Sequence, residues 1–233
     1  MRPLTELLDT TDPAWPLIQQ WIRAATNPVE VLPPSDARAD ALLETQVTTH
    51  SPMGAIVYET GGLLIDHAFL RILGSGHPRL PRSLPDWNKQ IFNADANLPF
   101  YLIADDAIGG FYALNGGTLG SNPRNVYYFA PDTLRWDDLG HGYTDFLLFA
   151  LQGDLAGFYE SVRWPGWEQE VARLSGDESF QVHPLLITRE ARDPSNWSKR
   201  VIPTRDLYHL YVDTLAPQLA NLKDDDQFTI RLR

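Results

Sequence analysis

Apolar residues change their period several times along this chain, and each change predicts an element. Between Asp12 and Thr26, the residues Ala14, Leu17, Ile18, Trp21, Ile22 and Ala25 recur at the i, i+3, i+4, i+7 spacing of one buried helix face. Asp12 is the expected N-cap with Pro13 at the first helical position, and Pro16 delays the regular helix until Trp15, because proline fits only the first turn. Asn27 and Pro28 stop it. A short helical opening, PLTELLD, precedes this element. After the proline-rich loop VLPPSDAR, the positions Ala39, Leu42, Leu43 and Gln46 predict a second helix capped by Ser35 or Asp36.

From Met53 the pattern turns strand-like. GAIVYETGGLLID is rich in branched residues and predicts a β-hairpin turning at Gly61–Gly62. HAFLRILGSGHPRLPRSLPDW then passes from a short strand or helix into a loop punctuated by Gly74, Gly76, Pro78, Pro81 and Pro85. Ser83 or Asp86 caps a short helix from Trp87 to Phe92. Strands are expected at Phe100–Ala104, Gly110–Leu114 and Val126–Ala130, and a helix from Tyr143 that buries Tyr143, Phe146, Leu147, Ala150 and Leu151. Beyond Gly153 the pattern gives an aromatic helix broken at Pro165–Gly166, a strand-like PLLIT, the loop RDPSNWS, a helix over Leu207, Leu210, Tyr211, Thr214 and Leu215, and a last strand QFTIRLR. The strands follow one another too closely for regular crossover helices. The expected class is therefore α+β, a mainly antiparallel sheet flanked by helices, with residues 1–233 in a single domain.

Composition narrows the function classes. The 233 residues are 43% apolar and include seven tryptophans, enough for a substantial core. Nineteen basic against 30 acidic residues give a net charge of −11, which repels phosphate backbones and anionic lipid and argues against nucleic acid and membrane as partners. A protein partner, with a basic toxin domain as one form, would gain from steering by that charge. Without cysteine there is no disulfide, thiolate nucleophile or thiolate metal site. No window approaches a membrane span and the N-terminus lacks a continuous apolar signal region, so a cytoplasmic location is expected; oligomeric state is open.

Nucleotide and hydrolase motifs are missing. There is no GxxxxGK loop, HExxH or Gly-x-Ser-x-Gly elbow, and Gly74-Ser75-Gly76 is followed by His77, Pro78 and Arg79 rather than the rest of a GxGxxG fingerprint. No catalytic residue, cofactor or metal site is assigned, and a non-enzyme is expected. Asp105 and Asp106 read as turn residues, as do Asp224, Asp225 and Asp226. His141 between two glycines reads as a turn residue, and Trp164, Trp167, Phe158 and Tyr159 as an aromatic seal on the core.

An ordered series of segments resembles the SUKH superfamily, which unites yeast cell-wall regulators with bacterial toxin-immunity proteins. LPPSDARADALLE is similar to that family's opening Leu-Pro and helix, YETGGLLI to its Gly-Gly hairpin, and FYLIADDAIGGFYALN to its strand, Gly-Gly turn and strand. NVYYFAPDTLRW with GYTDFLLFAL resembles its last core strand and helix, here carrying Tyr143, Phe146 and Leu147. The chain as a whole is similar to a bacterial family known as domain of unknown function 2625, including ATNPVEVLPP and RILGSGHPRLPRSLPDWN. The resemblance implies a SUKH-like α+β core over 27–152, with 153–233 as a helical and strand extension packed on it. It also implies a non-catalytic protein-binding role, such as neutralising a toxin.

The strongest candidate binding region lies between Asp66 and Trp87. His67, Arg71, His77, Arg79, Arg82 and Trp87 gather there in an otherwise acidic chain, and arginine and tryptophan supply the paired donors and stacking face that concentrate at binding hot spots. Two alternatives stand beside partner binding: a housekeeping protein binding a small molecule through loop 66–87, and an enzyme with an unrecognised site built from Asp105, His67 and His77.

Overall fold

Seven strands lie side by side in chain order, each antiparallel to the next, among the residues that the computed structural model describes, 1–92 and 98–220. They are β1 (Val29–Leu32), β2 (Gly62–Ile65), β3 (Leu70–Leu73), β4 (Phe100–Asp106), β5 (Phe111–Asn115), β6 (Val126–Ala130) and β7 (Arg135–Asp138). A separate pair, β8 (Glu178–His183) and β9 (Ser198–Pro203), forms a two-stranded sheet. The helices are α1 (Leu4–Leu7), α2 (Trp15–Arg23), α3 (Arg38–Thr45), α4 (Pro52–Glu59), α5 (Leu84–Phe92), α6 (Tyr143–Gln152), α7 (Leu155–Phe158), α8 (Trp167–Val171), α9 (Thr204–Tyr208) and α10 (Ala216–Leu219), with a π-helical stretch at His209–Leu215 between the last two. The α+β class with a mainly antiparallel sheet holds. No helix among the described residues is long and apolar enough to cross a membrane.

Cross-strand register sorts the sheet into two faces. One row runs Val31, Leu63, Ile72, Ala104, Tyr112, Tyr128 and Asp137. Helix α6 packs here, its Phe146 ring 4.9 Å from Tyr112, and it buries the five residues its spacing predicts. The next row faces the other way: Glu30, Leu64, Arg71, Asp105, Phe111, Phe129 and Trp136. Helix α5 and the chain beyond residue 176 cover it, with Tyr208 5.0 Å from Phe111 and 6.5 Å from Trp87. Asn88 of α5 bonds both main-chain groups of Leu102 at 2.8 Å, standing in for a strand where β3 has already ended.

The segment GAIVYE corrects the expected hairpin. It is helix α4, started by Ser51, whose Oγ accepts from the Gly54 N–H at 3.1 Å, with Pro52 in the first turn. Gly54, Ala55, Ile56 and Val57 are all buried, and a short all-apolar run cannot be told from a buried strand by period alone. The true hairpin is β2–β3, turning through Asp66–Phe69. α2 starts at Trp15, where Pro16 is expected to delay it, but neither it nor α3, which follows Ala37, has the expected side-chain cap. PLLIT is not a strand; β8 lies just before it, and β7 was not foreseen. QFTIRLR and Asp224–Asp226 lie outside the described residues.

Beyond α6 the chain wraps the end of the sheet. Tyr159 contacts the first face through a 2.6 Å hydroxyl bond to Tyr112, Arg163 pairs with Asp66 in the β2–β3 turn, and Ser179 bonds Arg71 on the second face. The Phe180 N–H donates to the Ala107 carbonyl at 2.7 Å, tying β8 to the β4–β5 turn.

Candidate functional site

Three of the six candidate residues enter a buried charge network. Arg71 sits in the apolar strand LRIL, and Asp105 is its cross-strand partner on β4, which places the two side chains on one face. Arg71 Nη2 lies 2.7 Å from Asp105 Oδ1, and the guanidinium also donates to the Glu178 carbonyl at 2.6 Å, the Asp106 carbonyl at 2.8 Å and Ser179 Oγ at 2.8 Å. Arg82 grips the other Asp105 oxygen and donates from Nε to Asp177 at 2.8 Å and from Nη2 to the Gly176 carbonyl at 2.7 Å. Its guanidinium lies 4.4 Å over the buried Trp87 ring. Burial pulls Arg71 below the ordinary arginine value against the attraction of Asp105; for Arg82 the burial is outweighed by Asp105 and Asp177, and its value rises. Arg71, Arg82 and Asp105 are at most 3% exposed. Arg71 and Arg82 therefore serve as anchors for the segment 176–179 rather than as open ligand contacts, because a side chain bonded to its own fold offers few donors outward, and Trp87 is 1% exposed beneath Arg82. Asp105 is likewise a counter-ion in a strand, not the expected turn residue.

Asp106 does behave as a turn residue, but a buried one. Its Oδ1 accepts from the Ile108 and Gly110 N–H groups at 3.1 and 2.7 Å, and its Oδ2 from the Tyr128 hydroxyl at 2.8 Å. Burial pushes its carboxyl up to about 6 despite those donors. Burial first, and the Asp106 charge after it, hold Tyr112 and Tyr128 well above the usual phenol range; for Tyr159 burial is followed by Tyr112 and then Asp106.

The β2–β3 turn is strained and is tied to a later segment of the chain. Asp66, His67 and Ala68 have φ of 51°, 58° and 68°, three successive non-glycine residues in the left-handed region, each costing about 1–3 kcal/mol. Arg163 pairs with Asp66, and its guanidinium lies 4.2 Å from Trp167, 4.7 Å from Phe69 and 5.1 Å from Tyr159. Of the aromatic residues expected to seal the core, Trp164 and Tyr159 are buried in it and Phe158 and Trp167 pack against it, while Trp167 and Tyr159 also flank the Arg163 cation.

His67, Arg79 and part of Arg71 line an open groove of about 640 Å³. Its walls come from the start of β1 (Pro28, Val29, Glu30), the β2–β3 turn, the tight turn His77–Leu80, and residues 171–176. Arg79 pairs with Glu30 at the exposed rim. His77 does not line this groove but a second one, of about 570 Å³, that Asp36, Asp40, Glu44 and Asp86 make acidic; its Nδ1 accepts from the Arg79 N–H at 3.2 Å. Asp105, His67 and His77 share no hydrogen bond or ion pair among the described residues, where no cluster of potential metal ligands forms either. The sequence reading missed Arg163, Asp66 and residues 172–176. A lone arginine in LRIL and the carboxylates that end FYLIADD are the available signal for a buried pair, since an apolar strand tolerates a charge only beside its counter-ion.

Comparison with known proteins places the chain in one group. It is 49% identical over 214 residues to "Putative uncharacterized protein YbfG" of Escherichia coli (strain K12), covering 90% of this chain and 95% of that protein. It is 44% identical over 189 residues to an "Uncharacterized protein" of Haemophilus influenzae (strain ATCC 51907 / DSM 11121 / KW20 / Rd), covering 80% and 83%. No solved structure matches. A family model covers residues 4–207, reaching from the first helix through both sheets and the network that joins them, and the chain belongs to the family described as "Protein of unknown function DUF2625".

Proposed function

We propose that this chain is a non-catalytic, cytoplasmic binding protein that engages a protein partner through the groove between β1, the β2–β3 turn and residues 171–176. The observation that carries this reading is the construction of the groove. Three parts of the chain, residues 28–30, 64–79 and 171–176, converge on it, while the charged groups deeper in the fold bond one another. The SUKH resemblance supports a recognition role, with toxin neutralisation as its biological form. A small-molecule ligand is the second reading, favoured by a volume of about 640 Å³ that falls in the ordinary range for such sites.

The test is site-specific photocrosslinking in the native host. A crosslinker at the exposed Ala172 in the groove wall is expected to give a discrete protein adduct, and one at the exposed Gln20 on α2 is expected not to. The adduct should vanish when Arg79 and Arg173 are both changed to glutamate. Identical adducts from the two positions, or none from Ala172, would overturn the reading.

A further inference from the structure

The groove carries a charge opposite to that of the chain. Against a net −11, its ionisable lining is His67, Arg71, Arg79 and Arg173 with Glu30 as the sole carboxylate. Arg71 is neutralised by Asp105 and Arg79 is shared with Glu30 at the rim, whereas exposed Arg173 makes no ion pair among the described residues. A cation in that position draws negative charge toward the groove while the rest of the surface repels it.

The groove also runs beside a sheet edge. β1 is outermost in the sheet among the described strands, and the Pro28 carbonyl accepts from the Asp66 N–H across the β1–β2 pair. Strand alternation then turns the main-chain N–H and C=O groups of Val29 and Val31 away from β2, and Val29 lines the groove. Such an edge is a template for an added strand.

Building on the groove as the partner site, we infer that it takes an extended acidic segment of a partner protein. That segment lies along β1, bonded to the main chain of Val29 and Val31, with its carboxylates toward Arg79 and Arg173 and beside His67. The charge of the whole chain suggested a basic partner; the groove itself selects an acidic one, because attraction at contact distance outweighs a field screened within about 10 Å.

The test uses the full chain and fluorescence anisotropy with two labelled hexapeptides, (Val-Glu)3 and (Val-Lys)3. The glutamate peptide is expected to bind at least about tenfold more tightly at low salt, and to weaken as salt is raised. Arg173→Glu should weaken it about tenfold with an unchanged melting temperature, since that side chain is exposed. Methylating alternate amides of the glutamate peptide should abolish binding by blocking the added strand. Equal or tighter binding of the lysine peptide, or indifference to Arg173→Glu, would overturn the inference. An Ala172 adduct without glutamate-peptide binding rejects the acidic partner alone; failure of both rejects the groove as well.

Discussion

Replacing Asp106 with asparagine should change the pH dependence of stability more than stability at any single pH. The folded carboxyl is raised to about 6 from 3.8, so the folded protein holds this proton more tightly than the unfolded chain does. The stabilisation is complete below pH about 3.8 and is lost as pH rises through about 6. Two pKa units at 1.36 kcal/mol each make the whole effect about 3 kcal/mol, with no discount for screening because the carboxylate is fully buried. Roughly 1 kcal/mol is already lost at pH 4.5, and about 2 kcal/mol more disappears by pH 7.5. Asparagine keeps an oxygen for the Ile108 and Gly110 N–H groups but has no charge to desolvate. Its altered bond to Tyr128 adds an offset that does not vary with pH. Urea unfolding of both proteins from pH 4.5 to 7.5 isolates the group, since other carboxylates, including Asp9 and Asp138 with their lowered values, cancel in the difference. The stability of wild type minus variant should fall by about 2 kcal/mol across that window. A difference that stays flat, or rises with pH, refutes the assignment of a desolvated carboxyl at this site.

Three further substitutions address single joints of the fold. Asp105→Asn strips two buried arginines of their shared counter-ion and should cost about 3–5 kcal/mol in chemical denaturation; a loss under 1 kcal/mol would mean the arginines are compensated elsewhere. Gly110→Ala drives a methyl group into Asp106 Oδ2 and the Tyr128 ring, and should destabilise by about 1–3 kcal/mol; neutrality in a melting curve would show that the turn can move aside. Ser51→Ala removes the N-cap of α4 at about 1 kcal/mol, and an unshifted unfolding midpoint would count against α4 depending on that cap.

Elements with a long or clean pattern were legible in the sequence, and those decided by tertiary contact were not. Tyr143 to Leu151 alternate as a helix face must, and α6 buries those five side chains. FYLIADD and VYYFA are legible as strands because turn residues bound them, Leu98-Pro99 and Gly109-Gly110 around the first and the glycine-rich GGTLGSNPRN and Pro131-Asp132 around the second. GAIVYE misleads because Gly54 to Val57 are buried all round and only Tyr58 and Glu59 are half-exposed: so short an apolar run lacks the polar positions that reveal a period. Strand β7, RWDD, is mostly exposed and carries no apolar alternation, so only its pairing with β6 defines it. At the candidate site, the composition of loop 66–87 located His67 and Arg79 on the groove. It gave no means of separating them from Arg71 and Arg82, because burial is set by residues 176–179, more than ninety positions later in the chain.

The network that removes Arg71 and Arg82 from the surface also determines where the groove wall stands. Buried ion pairs generally add little net stability compared with apolar side chains of similar size, so stability alone gives little reason for two arginines and an aspartate here. What they supply is direction: the Gly176 and Glu178 carbonyls are each bonded by a guanidinium whose own position is set by Asp105 on a central strand. Residues 172–176, the wall opposite the β2–β3 turn, are thereby tethered at their C-terminal end. An apolar replacement would keep the layers together without fixing that tether. The triple variant Arg71→Met, Arg82→Met, Asp105→Leu should therefore be no less stable than Asp105→Asn alone, since no unpaired charge remains, although the freed carbonyls still cost about 1–3 kcal/mol each. Its affinity for the glutamate peptide should nevertheless fall at least about tenfold as the wall loses its position. Undiminished binding by a folded triple variant would make the network a fastening for the extension with no part in shaping the groove.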